Sequence, residues 1–182
     1  MENEELKVQV RRAARGDEKA AGALFDDLYP RVFRYARARL GSDADAEDVA
    51  AETFARVLRG LSKFRWKGAG FEAWLFRIAS NLVIDAYRRA GRELPEASPA
   101  FDQATQENAP ETIVLLAEQA GSLKGMIEQL APDQREVVLL RFAADMDTYE
   151  VGRVMDRNPN AVRQLQFRAL QKLREMMRET SR

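Results

Sequence analysis

The sequence predicts an all-α protein: two helical domains joined by a flexible linker, the second ending in a helix-turn-helix. Three observations carry that expectation. Apolar residues recur at helical spacing through most of the chain, and the alternation of a strand is missing. From Gly91 to Pro110 the composition shifts to Ala, Glu, Ser and Gln around Pro95, Pro99 and Pro110, which suits a tether rather than a core. Near the C-terminus, two helical patterns, Asp147–Met155 and Asn160–Arg168, meet at the break Asp156-Arg157-Asn158-Pro159. The expected limits are 1–92 for the first domain, 93–110 for the linker and 111–182 for the second domain.

In chain order, a short amphipathic helix is expected from Leu6 to Arg15. The next runs from about Glu18 to Leu40, with Leu24, Leu28, Val32, Tyr35 and Leu40 on its apolar side. Pro30 lies inside it, where a ring that removes a backbone donor kinks or divides a helix. Gly41 stops it, and Ser42 to Asp45 offer capping side chains for a third helix reaching about Leu61. That helix presents Ala50, Phe54, Val57, Leu58 and Leu61 as its apolar face. Asp45, Glu47, Asp48 and Glu52 crowd its first turns, where the helix dipole favours acids. Two glycines and alternating basic and aromatic residues make Lys63-Phe64-Arg65-Trp66-Lys67-Gly68-Ala69-Gly70 an exposed loop. The helix after it, about Phe71 to Arg89, carries the clearest stripe in the chain: Phe71, Trp74, Leu75, Ile78, Ala79 and Leu82, with Arg77, Asn81 and Arg88 on the opposite side. Beyond the linker come a helix at about Glu111 to Leu130, loosened by Gly121 and Gly125, and another from Pro132 carrying Val137, Val138, Leu139, Leu140 and Phe142.

The last two helices have matched start signals. Asp147 caps the first, with Glu150 placed to close a capping box. Asn158 caps the second, and Pro159 takes its first position, where a missing N–H costs nothing. From Arg163 to Arg174 the second helix carries Lys and Arg with no acid between them. Such a helix enters the DNA major groove.

Composition narrows the chemistry. In 182 residues there is no Cys and no His, so disulfides, Cys/His zinc sites, thiol catalysis and His acid–base chemistry are excluded. A carboxylate metal site at Asp45–Glu52 is the competing idea, but capping and the dipole already account for those acids. No catalytic residue, metal site or cofactor is expected, and the chain is read as not an enzyme. No apolar run approaches a membrane span, and the acidic start Met1-Glu2-Asn3-Glu4-Glu5 is unlike a signal peptide, so a cytoplasmic location is expected. The net charge is zero, whereas a free-standing nucleic-acid binder usually carries a basic excess. The chain is therefore expected to bind DNA weakly alone and to depend on a partner for placement.

The ordered set of segments resembles a known family. It consists of Asp45-Ala46-Glu47-Asp48-Val49 with Glu52-Thr53-Phe54, then Phe64-Arg65, then Phe71-Glu72-Ala73-Trp74-Leu75-Phe76-Arg77-Ile78-Ala79-Ser80-Asn81 with Asp85 and Arg88-Arg89. After the linker come Leu130-Ala131-Pro132-Asp133-Gln134-Arg135-Glu136-Val137, Leu140-Arg141 and the terminal helix-turn-helix. This order is similar to that of bacterial RNA polymerase sigma factors of the small, two-domain extracytoplasmic-function group. The resemblance implies a division of labour. The first domain grips the polymerase clamp and melts and reads the promoter −10 element; the second reads the −35 element as duplex.

For the −10 task, the resemblance points to Lys63, Arg65, Trp66, Lys67, Arg77, Asn81 and Arg88. Reading a melted strand needs aromatics, backbone-tracking cations and a small polar pocket, and base–aromatic stacking contributes ~1–3 kcal/mol per base. Trp66 reads equally well as a stacking platform or as a partly buried surface aromatic; Phe64, Phe71 and Trp74 read as core. For the −35 task it points to Arg163, Gln164, Phe167 and Arg168, with Val162, Leu165, Ala169 and Leu173 facing the core. Arg reads guanine and Gln reads adenine by paired hydrogen bonds. For polymerase binding it points to Asp45, Glu47, Asp48 and Glu52. The chain departs from the family pattern at Ala51, where a Gln is common, and at Gln164-Leu165-Gln166. The implied partners are core RNA polymerase (the clamp of the largest subunit and the flap of the second subunit), promoter DNA and a possible anti-sigma factor. The alternative reading is a stand-alone dimeric helix-turn-helix transcription regulator.

Overall fold

The computed structural model describes residues 4–66, 70–90 and 123–180, and among these there is no strand. Helix α1 spans Glu4–Ala13. It starts and ends two residues before the expected limits, because the chain turns at once through Gly16, whose φ of 89° lies in the left-handed region. Asp17 then caps α2, Glu18–Leu40, by accepting from the Ala20 N–H at 3.1 Å. Pro30 does not divide this helix. The ring sits on the exposed side, while Leu28 and Val32 on either side of it are fully buried. Burial of that face outweighs the one backbone bond the proline removes.

Gly41 ends α2 at φ 80°, and Ser42 caps α3, Asp43–Gly60. Ala50, Phe54, Val57 and Leu61 are buried as their spacing predicts. Leu58 is not: it is 53% exposed. It lies at the edge of the stripe, and no described element covers that edge. A short 3₁₀ turn, Leu61–Lys63, follows, then α4, Gly70–Arg89. Its buried face is wider than the stripe in the sequence and includes Ala73, Phe76 and Val83.

The linker expected at 93–110 lies outside the described residues, as does most of the helix expected at Glu111–Leu130; residues 123–128 are helical. Then come α5, Pro132–Phe142, α6, Thr148–Met155, and α7, Pro159–Thr180. The capping box at α6 is complete, with Asp147 accepting from the Tyr149 and Glu150 N–H groups at 2.7 and 2.8 Å and Glu150 accepting from the Asp147 N–H at 2.6 Å. Asn158 accepts from the Ala161 N–H at 2.8 Å and starts α7.

Helices α1–α4 wrap around one core, and its apolar contacts continue into the second half. Leu28, Val32, Phe76 and Val83 belong to the same buried cluster as Val137, Leu140, Met146 and Val151. A smaller cluster of Met126, Leu130, Val138, Ala169, Leu173 and Met176 holds α5 and α7 together. The two halves are therefore packed, not merely tethered. Tyr35 shows how. Its ring is fully buried and meets Phe76 edge-on at 5.8 Å, while its hydroxyl donates to Glu136 of α5 at 2.6 Å. Burial and the Glu136 carboxylate push the phenol well above its ordinary range, so it remains a donor throughout the physiological range.

Candidate nucleic-acid interface

On α7, helical periodicity sorts the side chains. Val162, Ala169 and Leu173 are buried, Leu165 is half-buried, and Arg163, Gln164, Phe167 and Arg168 are exposed. Phe167 is 66% exposed, a large apolar surface to leave in water without a partner. Gln166 is half-buried at the edge of this face. At the N-terminal end of α7, Tyr149, Asn158, Pro159, Asn160, Arg163 and Gln164 line an open groove of about 490 Å³. Arg163 is held there by donating to the Asn160 side chain at 2.9 Å. Tyr149, 58% exposed, carries no signal of its own in the sequence. Only its place opposite the start of α7 brings it to the groove, and no spacing rule reports that.

On α4 and the turn before it, Lys63, Arg65 and Arg77 line a second groove of about 440 Å³ with Phe64 and Trp74. The aromatics set its floor. Phe64 packs on Phe71 at 5.5 Å and on Trp74 at 4.9 Å between ring centroids. Gly60 permits the approach of α3, since a Cβ there would lie 3.1 Å from the Trp74 ring. Phe71 is buried, but Phe64 and Trp74 are only half-buried, so these two close the edge of the core instead of filling it. Trp66 is half-buried too and meets Phe64 edge-on at 5.2 Å, with Arg65 exposed beside it and donating to the Ser62 and Phe64 carbonyls at 3.1 Å. Lys67 lies outside the described residues.

Arg77 and Asn81, one turn apart and both exposed, also line a larger cleft of about 640 Å³ between the two halves, facing Pro132, Asp133, Val154 and Arg157. Arg77 donates across it to the Arg153 carbonyl. Arg88 stands apart, two turns further along α4, 3.8 Å from Asp85. The structure thus brings Lys63, Arg65 and Arg77 together, joins Asn81 to them through Arg77, and leaves Arg88 at the end of the row.

On α3, Asp45, Glu47 and Asp48 are exposed beside one another near the helix start. Glu52 is half-buried and tied down by Arg56 at 2.8 Å and Arg59 at 3.2 Å. The hydrogen bond from Arg56 and the charge of Arg59 hold its carboxyl below the usual range. The first three acids are the free part of this surface, and Glu52 is its braced end.

Residues 24–93 match sigma-70 region 2, and residues 120–173 match sigma-70 region 4. The chain is 32% identical over 180 residues to the extracytoplasmic-function (ECF) RNA polymerase sigma factor SigD of Mycobacterium tuberculosis, covering 96% of this chain and 85% of SigD. The chain belongs to the sigma-70 family, in the ECF group. Sigma factors of this group direct RNA polymerase to promoters. The ECF sigma factor BldN of Streptomyces coelicolor is 36% identical over 174 residues, spanning 95% of this chain and 66% of BldN. Among solved structures, that of CnrH in complex with the cytosolic domain of CnrY superposes with a TM-score of 0.72 at 25% identity, covering 96% of this chain and 98% of CnrH. The region 2 match contains the α4 groove and the α3 acids; the region 4 match contains the exposed face of α7. No described helix of this sigma factor is long and apolar enough to cross a membrane.

Proposed function

We propose that the chain seats on core RNA polymerase and starts transcription at promoters that carry −10 and −35 elements, with the work divided between its halves. Residues 1–92 hold the polymerase clamp through Asp45, Glu47, Asp48 and Glu52 and hold the melted −10 strand through Lys63, Arg65, Trp66, Lys67, Arg77, Asn81 and Arg88. Residues 93–110 are the tether. Residues 111–182 meet the flap of the second large subunit and read the −35 duplex through Arg163, Gln164, Phe167 and Arg168. The observation that carries this reading is the sorting on α7. The four side chains suited to base edges share one exposed face, and Val162, Ala169 and Leu173 of the same helix are buried.

The grooves suit different forms of DNA. The α7 face exposes Arg163 and Gln164 toward its N-terminal end, as a major-groove reader does. The α4 groove combines three cations with half-buried aromatics, as a single-strand reader does. The polymerase supplies the chemistry, and the chain supplies position and strand separation. On this reading its work belongs in the bacterial cytoplasm. The likeness to CnrH, solved with a partner domain, supports an anti-sigma partner for this chain as well. A stand-alone dimeric regulator finds no support in the α4 groove, which dimerisation does not require.

Permanganate reactivity around −10 and nuclease protection of the −35 duplex, both with purified core polymerase, separate the two tasks. Asn81→Ala is expected to reduce strand opening around −10 while protection of the −35 duplex persists. Arg163→Ala is expected to weaken −35 protection roughly tenfold, the loss of one good base pairing. Footprints unchanged in both variants contradict the residue assignment.

A further inference from the structure

We propose that Arg31, Arg34, Tyr35, Arg39 and Arg77 of the first half clasp the second half, and that the clasp is autoinhibitory because Arg77 cannot hold it and a DNA strand at once. Arg31 donates to the Ala144 carbonyl at 2.8 Å and to the Asp145 carbonyl at 3.2 Å. Arg34, one turn on, donates to the Ala143 carbonyl at 3.1 Å. These carbonyls lie in the turn that leaves α5. Arg77 of α4 donates to the Arg153 carbonyl in the last turn of α6. On α5 itself, Glu136 accepts from the Tyr35 hydroxyl at 2.6 Å and pairs with the Arg39 guanidinium at 3.1 Å.

In all of these bonds the first half donates and the second half accepts. Arg31, Arg34, Tyr35 and Arg39 fall at i, i+3, i+4 and i+8, so one face of α2 carries the donors. The last carbonyls of a helix have no amide of their own and lie at the negative end of its dipole, and a guanidinium suits them. The side chains of Arg39 and Glu136 are only 11% and 15% exposed, so neither charge is easily left without the other. Apolar residues of both halves share one buried cluster; burial strengthens closure, and the polar bonds align it.

Arg77 and Asn81 line the cleft between the halves, with Pro132, Asp133, Val154 and Met155 among its other walls. A strand held by Arg77 and Asn81 therefore needs α4 cleared of α6 first. Closing and strand binding then compete, each weakening the other by the same factor. The affinity seen for a single strand is that of the open form, reduced by the fraction of molecules that are open. A polymerase that seats the two halves apart removes this reduction. The consequence for the strand rests on the function proposed above, whereas the clasp itself is measured without polymerase or promoter.

The chain contains no Cys, so spin labels for distance measurement can be placed by Ala51→Cys and Lys172→Cys, at exposed positions on α3 and α7. The full chain is expected to give one narrow distance, that of the closed structure. Glu136→Ala leaves Arg39 buried without its carboxylate in the closed form, whereas water solvates Arg39 in the open form. With Arg34→Ala added, a second, longer distance is expected to appear at unchanged helix content. The other readout is binding of a mixed-sequence single-stranded oligonucleotide by Arg34→Ala with Tyr35→Phe. This variant loses a cation and keeps the Tyr35 ring, so a gain in affinity comes from opening and not from charge. The gain equals the rise in the open fraction even where that fraction is small, and is expected to be roughly tenfold. A long or broad distance in the intact protein, a distance unchanged by Glu136→Ala with Arg34→Ala, or oligonucleotide binding that does not strengthen overturns the proposal. Failure of the −10 assignment shows separately, as strand opening unchanged by Asn81→Ala with polymerase while the label distances still respond.

Discussion

Gly152 is the residue on which the helix-turn-helix geometry turns. A Cβ built there would lie 2.6 Å from the Arg157 carbonyl oxygen, which belongs to the backbone of the turn and cannot rotate away. The same turn is closed by the Arg157 N–H donating to the Gly152 carbonyl at 2.8 Å, and by Asp156 at φ 55°. Gly152→Ala must therefore push α6 and the turn apart. We expect it to cost about 1–3 kcal/mol by overpacking and to lower affinity for −35 duplex, measured by chemical denaturation and duplex titration. Unchanged stability would show that the turn has slack. The capping residues around it, Asp147, Glu150 and Asn158, are legible in the sequence because a cap acts within four residues of itself. The Gly152 clash is not legible in that way, since it depends on how tightly the turn brings Arg157 back.

At the scale of elements, the helices follow from period and punctuation, and their limits agree with the sequence to within two residues at Glu18–Leu40, Asp43–Gly60 and Gly70–Arg89. Pro30 is where local rules and tertiary packing disagree. It interrupts the backbone bonding of α2, yet α2 remains one helix because Leu24, Leu28, Val32 and Tyr35 bury one continuous side. Pro30→Ala restores the missing donor on an exposed face. It is expected to stabilise the protein by up to about 3 kcal/mol, seen as a higher denaturation midpoint; a lower midpoint would contradict this. Leu58 shows the reverse case. Its spacing is right for a core position, but a stripe drawn from sequence has no fixed edge, and the edge is set by whichever neighbour arrives. Of the candidate site, the α7 face and the row from Lys63 to Asn81 could be read in advance, because each lies on one element or on a turn and the helix after it.

At the scale of the whole molecule, the contacts that close the protein join residues about 100 positions apart, as in Tyr35 to Glu136 and Arg31 to Ala144. Nothing local marks such pairs. The sequence shows Glu72 only as a charge near a helix start; its pairing with Arg31 of α2 is a property of the packed fold. The same packing lets a chain of zero net charge hold the two surfaces proposed to read DNA. The acids on α3 are set apart from the α4 groove, and the α7 face carries none. Such a molecule draws its placement on DNA from the polymerase that holds it. Run-off transcription from genomic promoter fragments tests this most directly, with core polymerase and the protein each alone and together. The account predicts initiation at a defined subset of promoters only when both are present, with the protein alone failing to saturate duplex DNA. A protein that shows no affinity for core polymerase, yet fills a palindromic duplex site unaided as a dimer, would contradict it.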